Sequence, residues 1–108
     1  MDMVKRFEVW LVNLDPTIGS EVKKTRPCMV VSPNVTNKYL KTFTIVLLTS
    51  TIKDYPTRVN CVFNDKNGQL VIDQIRSIDK RRLLKRLGTM DETTCQKASD
   101  AIVEMFKY

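Results

Sequence analysis

A chain of 108 residues is the common size of one domain, and dividing it would leave pieces too small to bury a core, so a single domain over residues 1–108 is expected. With 43% apolar and 28% charged residues the chain reads as neither disordered nor a coiled coil, and no apolar run approaches the roughly 20 residues that cross a bilayer. The formal charge of +6 favours a polyanionic or acidic partner, nucleic acid foremost, although moderate basicity serves solubility equally well.

Met1 to Phe7 is charged and lacks the hydrophobic stretch of a signal peptide, which predicts a soluble protein that stays in the cytoplasm, away from membranes. Phe7 to Leu14, rich in β-branched and aromatic residues, predicts a first strand ended by Asp15-Pro16. The single Trp10 within it is expected in the core, although an exposed ring can also stack a base. A polar loop, Thr17 to Thr25, leads through Pro27 to a second strand, Cys28-Met29-Val30-Val31, closed by Ser32-Pro33. Thr42 to Leu48 gives a third strand, and Arg58 to Phe63 a fourth with Val59, Cys61 and Phe63 on one face. Asn67-Gly68 is a strong hairpin signal that would pair this fourth run with Gln69 to Ile78.

At Asp79 the pattern changes. Asp79 to Leu84 reads as one helical turn, with Asp79 as its cap, and Arg86 to Thr89 as a last short strand. From Asp91, which reads as an N-cap, the positions Cys95, Ala98, Ile102, Met105 and Phe106 follow a helical period. Short antiparallel strands followed by one helix predict a mainly β, α+β domain: a small, strongly curved antiparallel barrel with a C-terminal helix over one side.

The chain contains no histidine, which removes the commonest general acid/base and the commonest metal ligand. Catalysis here must use Asp, Glu, Arg, Lys, Thr or Tyr, and neither a metal nor a cofactor is implied. The three cysteines, Cys28, Cys61 and Cys95, have no metal or disulfide spacing and are expected as reduced, small hydrophobes.

Four segments carry polar side chains in suggestive places. Thr17 to Arg26 gathers Gly19, Ser20, Glu21, Lys23, Lys24 and Arg26, a mixture suited to phosphate but equally a solvated hairpin loop. Thr49, Ser50 and Thr51 directly follow an apolar strand, where hydroxyls can donate to a phosphate oxygen or cap a turn. Along Asp73-Gln74-Ile75-Arg76-Ser77-Ile78-Asp79 polar and apolar residues alternate, which fits either a site or an internal Asp/Arg network bracing the barrel. Lys80 to Arg86 holds five cations in seven residues, fit for RNA backbone or for a solvated helix face.

Taken in order, these segments resemble the PemK/MazF family, the Kid-like toxins of type II toxin–antitoxin pairs. The resemblance runs from about Val4 to Phe106. It is carried by Val9-Trp10-Leu11-Val12, by Asp15-Pro16-Thr17-Ile18-Gly19-Ser20-Glu21, by Arg26-Pro27, by Ser32-Pro33 with Asn37, by Leu48-Thr49-Ser50 and by Asp73 to Asp79. It implies an SH3-like barrel acting as a homodimer, with single-stranded RNA lying across a surface shared by the subunits and an acidic antitoxin protein as inhibitor.

Residue by residue, Arg26 and Thr49 match the family's catalytic positions, and Glu21 matches a carboxylate implicated in some members. Asp73 matches the general base of Kid-like members. Val71 stands where that subgroup has an arginine, and Ser20 where it has histidine, so the Arg/Thr arrangement is favoured and Asp73 is read as base or brace. Ser20, Lys23, Lys24, Ser50, Gln74 and Arg76 are expected to contact RNA. The resemblance implies metal-independent RNA cleavage giving a 2′,3′-cyclic phosphate and a 5′-hydroxyl. Two rivals are a gyrase poison like the CcdB toxins and an SH3-like RNA-binding module. The chain ends Phe106-Lys107-Tyr108 where the gyrase poisons end Trp-Gly-Ile, which argues against the first.

Overall fold

The structure, a computed structural model, describes residues 3–15 and 24–108. In chain order the elements are β1 (Glu8–Asn13), β2 (Thr25–Val30), α1 (Asn34–Tyr39), β3 (Thr42–Thr49), β4 (Arg58–Phe63), β5 (Lys66–Asp79), a 3-10 turn (Lys80–Arg82), β6 (Leu83–Thr89) and α2 (Glu92–Phe106). The strands form one antiparallel sheet in the order β4-β5-β3-β2-β1-β6.

Strand alternation sends two apolar sets to opposite faces of this sheet. Met29 and Val31, Val46 and Leu48, and Leu70 and Ile72 face α2, which covers them with Cys95, Ala98, Ile102 and Met105. On the other face Cys28 and Val30, Phe43 and Ile45, Ile78 and Leu83 form a second cluster, against which Trp10 packs partly buried. Its indole N–H donates to Glu8 Oε1 at 3.2 Å, so Trp10 works as a structural side chain. The sheet is bent by register shifts between β1 and β6 and between β3 and β5. It curls until the end of β4 meets β6, where a Cβ added to Gly88 would lie 3.0 Å from the Phe63 ring. The curved antiparallel architecture with a C-terminal helix is thus present, as a half-barrel.

Several local expectations are corrected. The hairpin turn falls at Asn64-Asp65, whose φ values of 50° and 63° supply the paired left-handed residues of a two-residue turn, while Asn67 and Gly68 lie inside β5. After Ser32-Pro33 the chain forms α1. It is fixed by the buried Asn37, whose amide donates to Ser32 O at 2.9 Å and whose Oδ1 accepts from Ser32 Oγ at 2.5 Å. The basic run Lys80 to Arg86 is a 3-10 turn and an edge strand with no helix face. Asp79 caps that turn, as expected, by accepting from Arg81 N at 2.8 Å. Asp91 caps α2, accepting from Thr94 N at 2.9 Å, but Phe106 at its end is 68% exposed and outside the core. All three cysteines are buried and free, and burial pushes the Cys28 thiol up to about 12 and Cys61 up to about 11, leaving both protonated and inert. Among the described residues no helix is long and apolar enough to cross a membrane.

Candidate functional site

β2 and β3 pair with Val30 across from Ile45, Met29 from Val46 and Cys28 from Leu47. Carried two residues further, this register sets Arg26 across from Thr49. Both side chains line a concavity of about 310 Å³ at the ends of these strands. Pro27, Leu48, Phe63 and Leu87 supply its apolar wall, while Ser50, Asn64, Lys66 and Asn67 add polar groups.

The environment of each polar group decides what it can do. Thr49 Oγ1 accepts from Thr51 N at 3.1 Å, so its own proton is left for an acceptor in the concavity. Arg26 is exposed, and its guanidinium makes no hydrogen bond to another described residue. Its backbone is held in β2 by pairing with Val12 of β1. Lys66, just past the Asn64-Asp65 turn, brings a second cation to the same concavity. Two cations and a hydroxyl donor over an apolar floor suit a phosphodiester with a base or sugar beside it.

Of the residues singled out in the sequence, the fold therefore brings Arg26, Thr49 and Ser50 together. Glu21, Ser20 and Lys23 lie outside the described residues. Lys24 is exposed and closes the foot of the first loop, with Leu14 N donating to Lys24 O at 2.7 Å and Lys24 N to Asp15 Oδ1 at 2.8 Å. Arg82 braces the same foot from the basic run by donating to the carbonyls of Asn13 and Asp15. In the same run Arg86 pairs with the buried Glu8 at 2.7 Å, Arg81 pairs with Asp79 at 3.1 Å and Lys80 lies 5.3 Å from the Phe43 ring centroid, so with Arg82 four of the five cations have partners within the fold.

Asp73, Gln74 and Arg76 are exposed on the far half of β5, and none of them lines the concavity. Asp73 lies roughly 16 Å along the strand from Gly68. Its carboxylate accepts from Thr57 Oγ1 at 3.1 Å and forms no ion pair with Arg76, so Asp73 and Arg76 are not joined in an internal network. Lys66, Asn64 and Phe63 carry no local signal of a site, because the Asn64-Asp65 turn that delivers them lies three residues before the Asn67-Gly68 turn signal. Gln69 is likewise not among the residues singled out, and a buried polar residue inside an apolar strand is the signal that would have marked it.

The sequence model of the family described as "PemK-like, MazF-like toxin of type II toxin-antitoxin system" matches residues 5–106. The chain belongs to this family. It is similar to Endoribonuclease EndoA of Bacillus subtilis, with 28% identity over 106 residues that span 93% of this chain and 91% of the relative. Among solved structures, MazF (Form-I) from Deinococcus radiodurans superposes with a TM-score of 0.83 at 22% identity, covering 100% of both chains, and so supports the fold. An endoribonuclease from a mycobacterial species, solved in complex with its cognate antitoxin, gives a TM-score of 0.81 at 25% identity over 94% of this chain and 92% of the other. As a member of this toxin family, the chain carries its Arg26 and Thr49 on neighbouring strands at one concavity.

Proposed function

We propose that this toxin is an endoribonuclease that cuts single-stranded RNA at preferred sequences without a metal ion. RNA carries its own nucleophile, so the protein needs only to align the 2′-hydroxyl, remove its proton, stabilise the charged transition state and let the 5′-oxygen leave. The observation that carries this reading is the convergence of Arg26 and Thr49 in one concavity.

In the proposed reaction the 2′-oxygen attacks phosphorus, the bond to the 5′-oxygen breaks, and Glu21 takes the 2′-proton. That assignment rests on the family's pattern, and Asp73 is the alternative base. Arg26 stabilises the phosphorane charge, and Thr49 donates its free proton to a non-bridging oxygen. The very high pKa of arginine suits Arg26 to this electrostatic role better than to proton donation, so water protonates the leaving oxygen. The products are a 2′,3′-cyclic phosphate and a 5′-hydroxyl.

Two protein partners belong to the proposal: a second copy of the chain, from the family's pattern, and an acidic antitoxin. The net charge of +6 attracts an anionic segment, and the mycobacterial relative was solved with its antitoxin. Incubating the purified protein with a long single-stranded transcript in EDTA tests the reading. Cleavage is expected, whereas tight binding without cleavage would identify an RNA-binding module instead.

A further inference from the structure

The segment between β3 and β4, residues 50–57, is exposed at every side chain from Ser50 to Pro56, yet its backbone is tied down along its length. Lys53 N donates to Gln69 Oε1 and Gln69 Nε2 donates to Lys53 O, each at 3.0 Å. Arg58 Nη1 bridges Thr51 O at 3.0 Å and Gln69 Oε1 at 3.1 Å, and Arg58 N donates to Tyr55 O at 3.0 Å. Gln69, only 3% exposed, spends its remaining amide proton on Asn60 Oδ1 at 2.8 Å, so all four of its bonding positions are used. A loop backbone held this firmly sets the positions from which its side chains project before any ligand arrives.

What the loop presents is an aromatic ring. Tyr55 is 54% exposed, and the Arg58 guanidinium lies 5.7 Å from its ring centroid. The cation so placed is the one already held by Thr51 and Gln69, and as a cation–π partner it favours this orientation of the ring. The loop begins at the proposed site itself, through the bond from Thr51 N to Thr49 Oγ1 at 3.1 Å. Resting on the RNA-cutting reading above, we infer that Tyr55 is a stacking platform for a nucleobase flanking the scissile phosphate, with Arg58 and Gln69 as its positioning residues. A half-exposed ring backed by a guanidinium is the arrangement that unstacked RNA bases select, because every base offers a π-face.

The test compares wild type with Tyr55→Ala, Tyr55→Phe and Tyr55→Trp. Steady-state cleavage of a long transcript is paired with titration by a 2′-O-methyl oligonucleotide that spans the strongest cut site, or any single-stranded segment of the transcript if wild type cuts nowhere. Tyr55→Ala is expected to raise KM and the oligonucleotide Kd about 10-fold while kcat stays within about 2-fold, and Tyr55→Phe to restore both. Emission from Tyr55→Trp, corrected for Trp10, is expected to be quenched by the oligonucleotide. Unchanged KM and Kd in Tyr55→Ala, an equal loss in Tyr55→Phe, or unquenched emission would each overturn the assignment. Wild type that binds the oligonucleotide but cuts nothing would sink the nuclease reading alone, with the binding arms still deciding the platform.

Discussion

Gly68 sits against the backbone of Thr49 so closely that an added Cβ would lie 2.8 Å from the Thr49 carbonyl oxygen. The two residues belong to paired strands, β5 and β3, and both line the concavity that holds Arg26. Because the obstacle is backbone, relief of the clash must move the strand that carries the Thr49 hydroxyl. Gly68→Ala is therefore expected to cost about 1–3 kcal/mol of stability and to lower kcat at least about 10-fold, measured by thermal denaturation and by cleavage of a transcript. A variant with native stability and full turnover would show that the close approach is dispensable.

Arg26→Ala and Thr49→Ala are each expected to lower cleavage at least about 100-fold, a loss of roughly 2.7 kcal/mol at the transition state. Arg26 is exposed and Thr49 half-buried, so neither truncation opens a core cavity and both variants should melt near the wild-type temperature. Circular dichroism melting alongside kcat separates loss of chemistry from loss of fold.

Asp73 presents the opposite case. Exposed on β5 and bonded to Thr57 at 3.1 Å, it braces no buried network and lines no part of the concavity. Asp73→Asn is expected to change stability by less than about 0.5 kcal/mol and kcat by less than about 3-fold. A folded but inactive Asp73→Asn protein would restore the general-base role that the Kid-like pattern suggests.

What the sequence disclosed and what it hid have physical causes. Strands β1 to β5 and helix α2 were legible because alternation and helical period mark apolar faces, as at Val59, Cys61 and at Cys95, Ala98. The β4–β5 turn differs from its sequence signal because Asn-Gly is the stronger turn signal, whereas here Asn64 and Asp65 take the left-handed angles and Gly68 is needed for its close approach to Thr49. Helix α1 was hidden because its six residues carry no apolar period and rest on the Ser32–Asn37 bonds. Arg26 and Thr49 were found through the family's pattern, but their common concavity depends on a long-range register that local sequence does not encode. Lys66 and Gln69 gain their meaning only from that register.

Acid should loosen one structural joint. Burial opposes ionisation of Glu8, but the Lys5 N–H, Arg86 and the Trp10 N–H together more than offset it and hold the carboxyl below the usual range. A folded pKa that is depressed stabilises the protein at pH values above the unfolded carboxyl's, and that contribution disappears as pH falls through the lowered folded value. Glu8→Gln is therefore expected to lower Tm at neutral pH. The gap from wild type should narrow on acidification to about pH 3, and a gap that stayed constant would exclude the linkage.

The central claim, RNA cleavage by Arg26 and Thr49 without a metal ion, is tested most directly by end-group analysis of a long single-stranded transcript incubated with the protein in excess EDTA. Undiminished cutting that leaves 2′,3′-cyclic phosphate and 5′-hydroxyl ends is expected, with both products lost in Arg26→Ala. Activity abolished by EDTA and restored by magnesium, or fragments bearing 5′-phosphates, would contradict it.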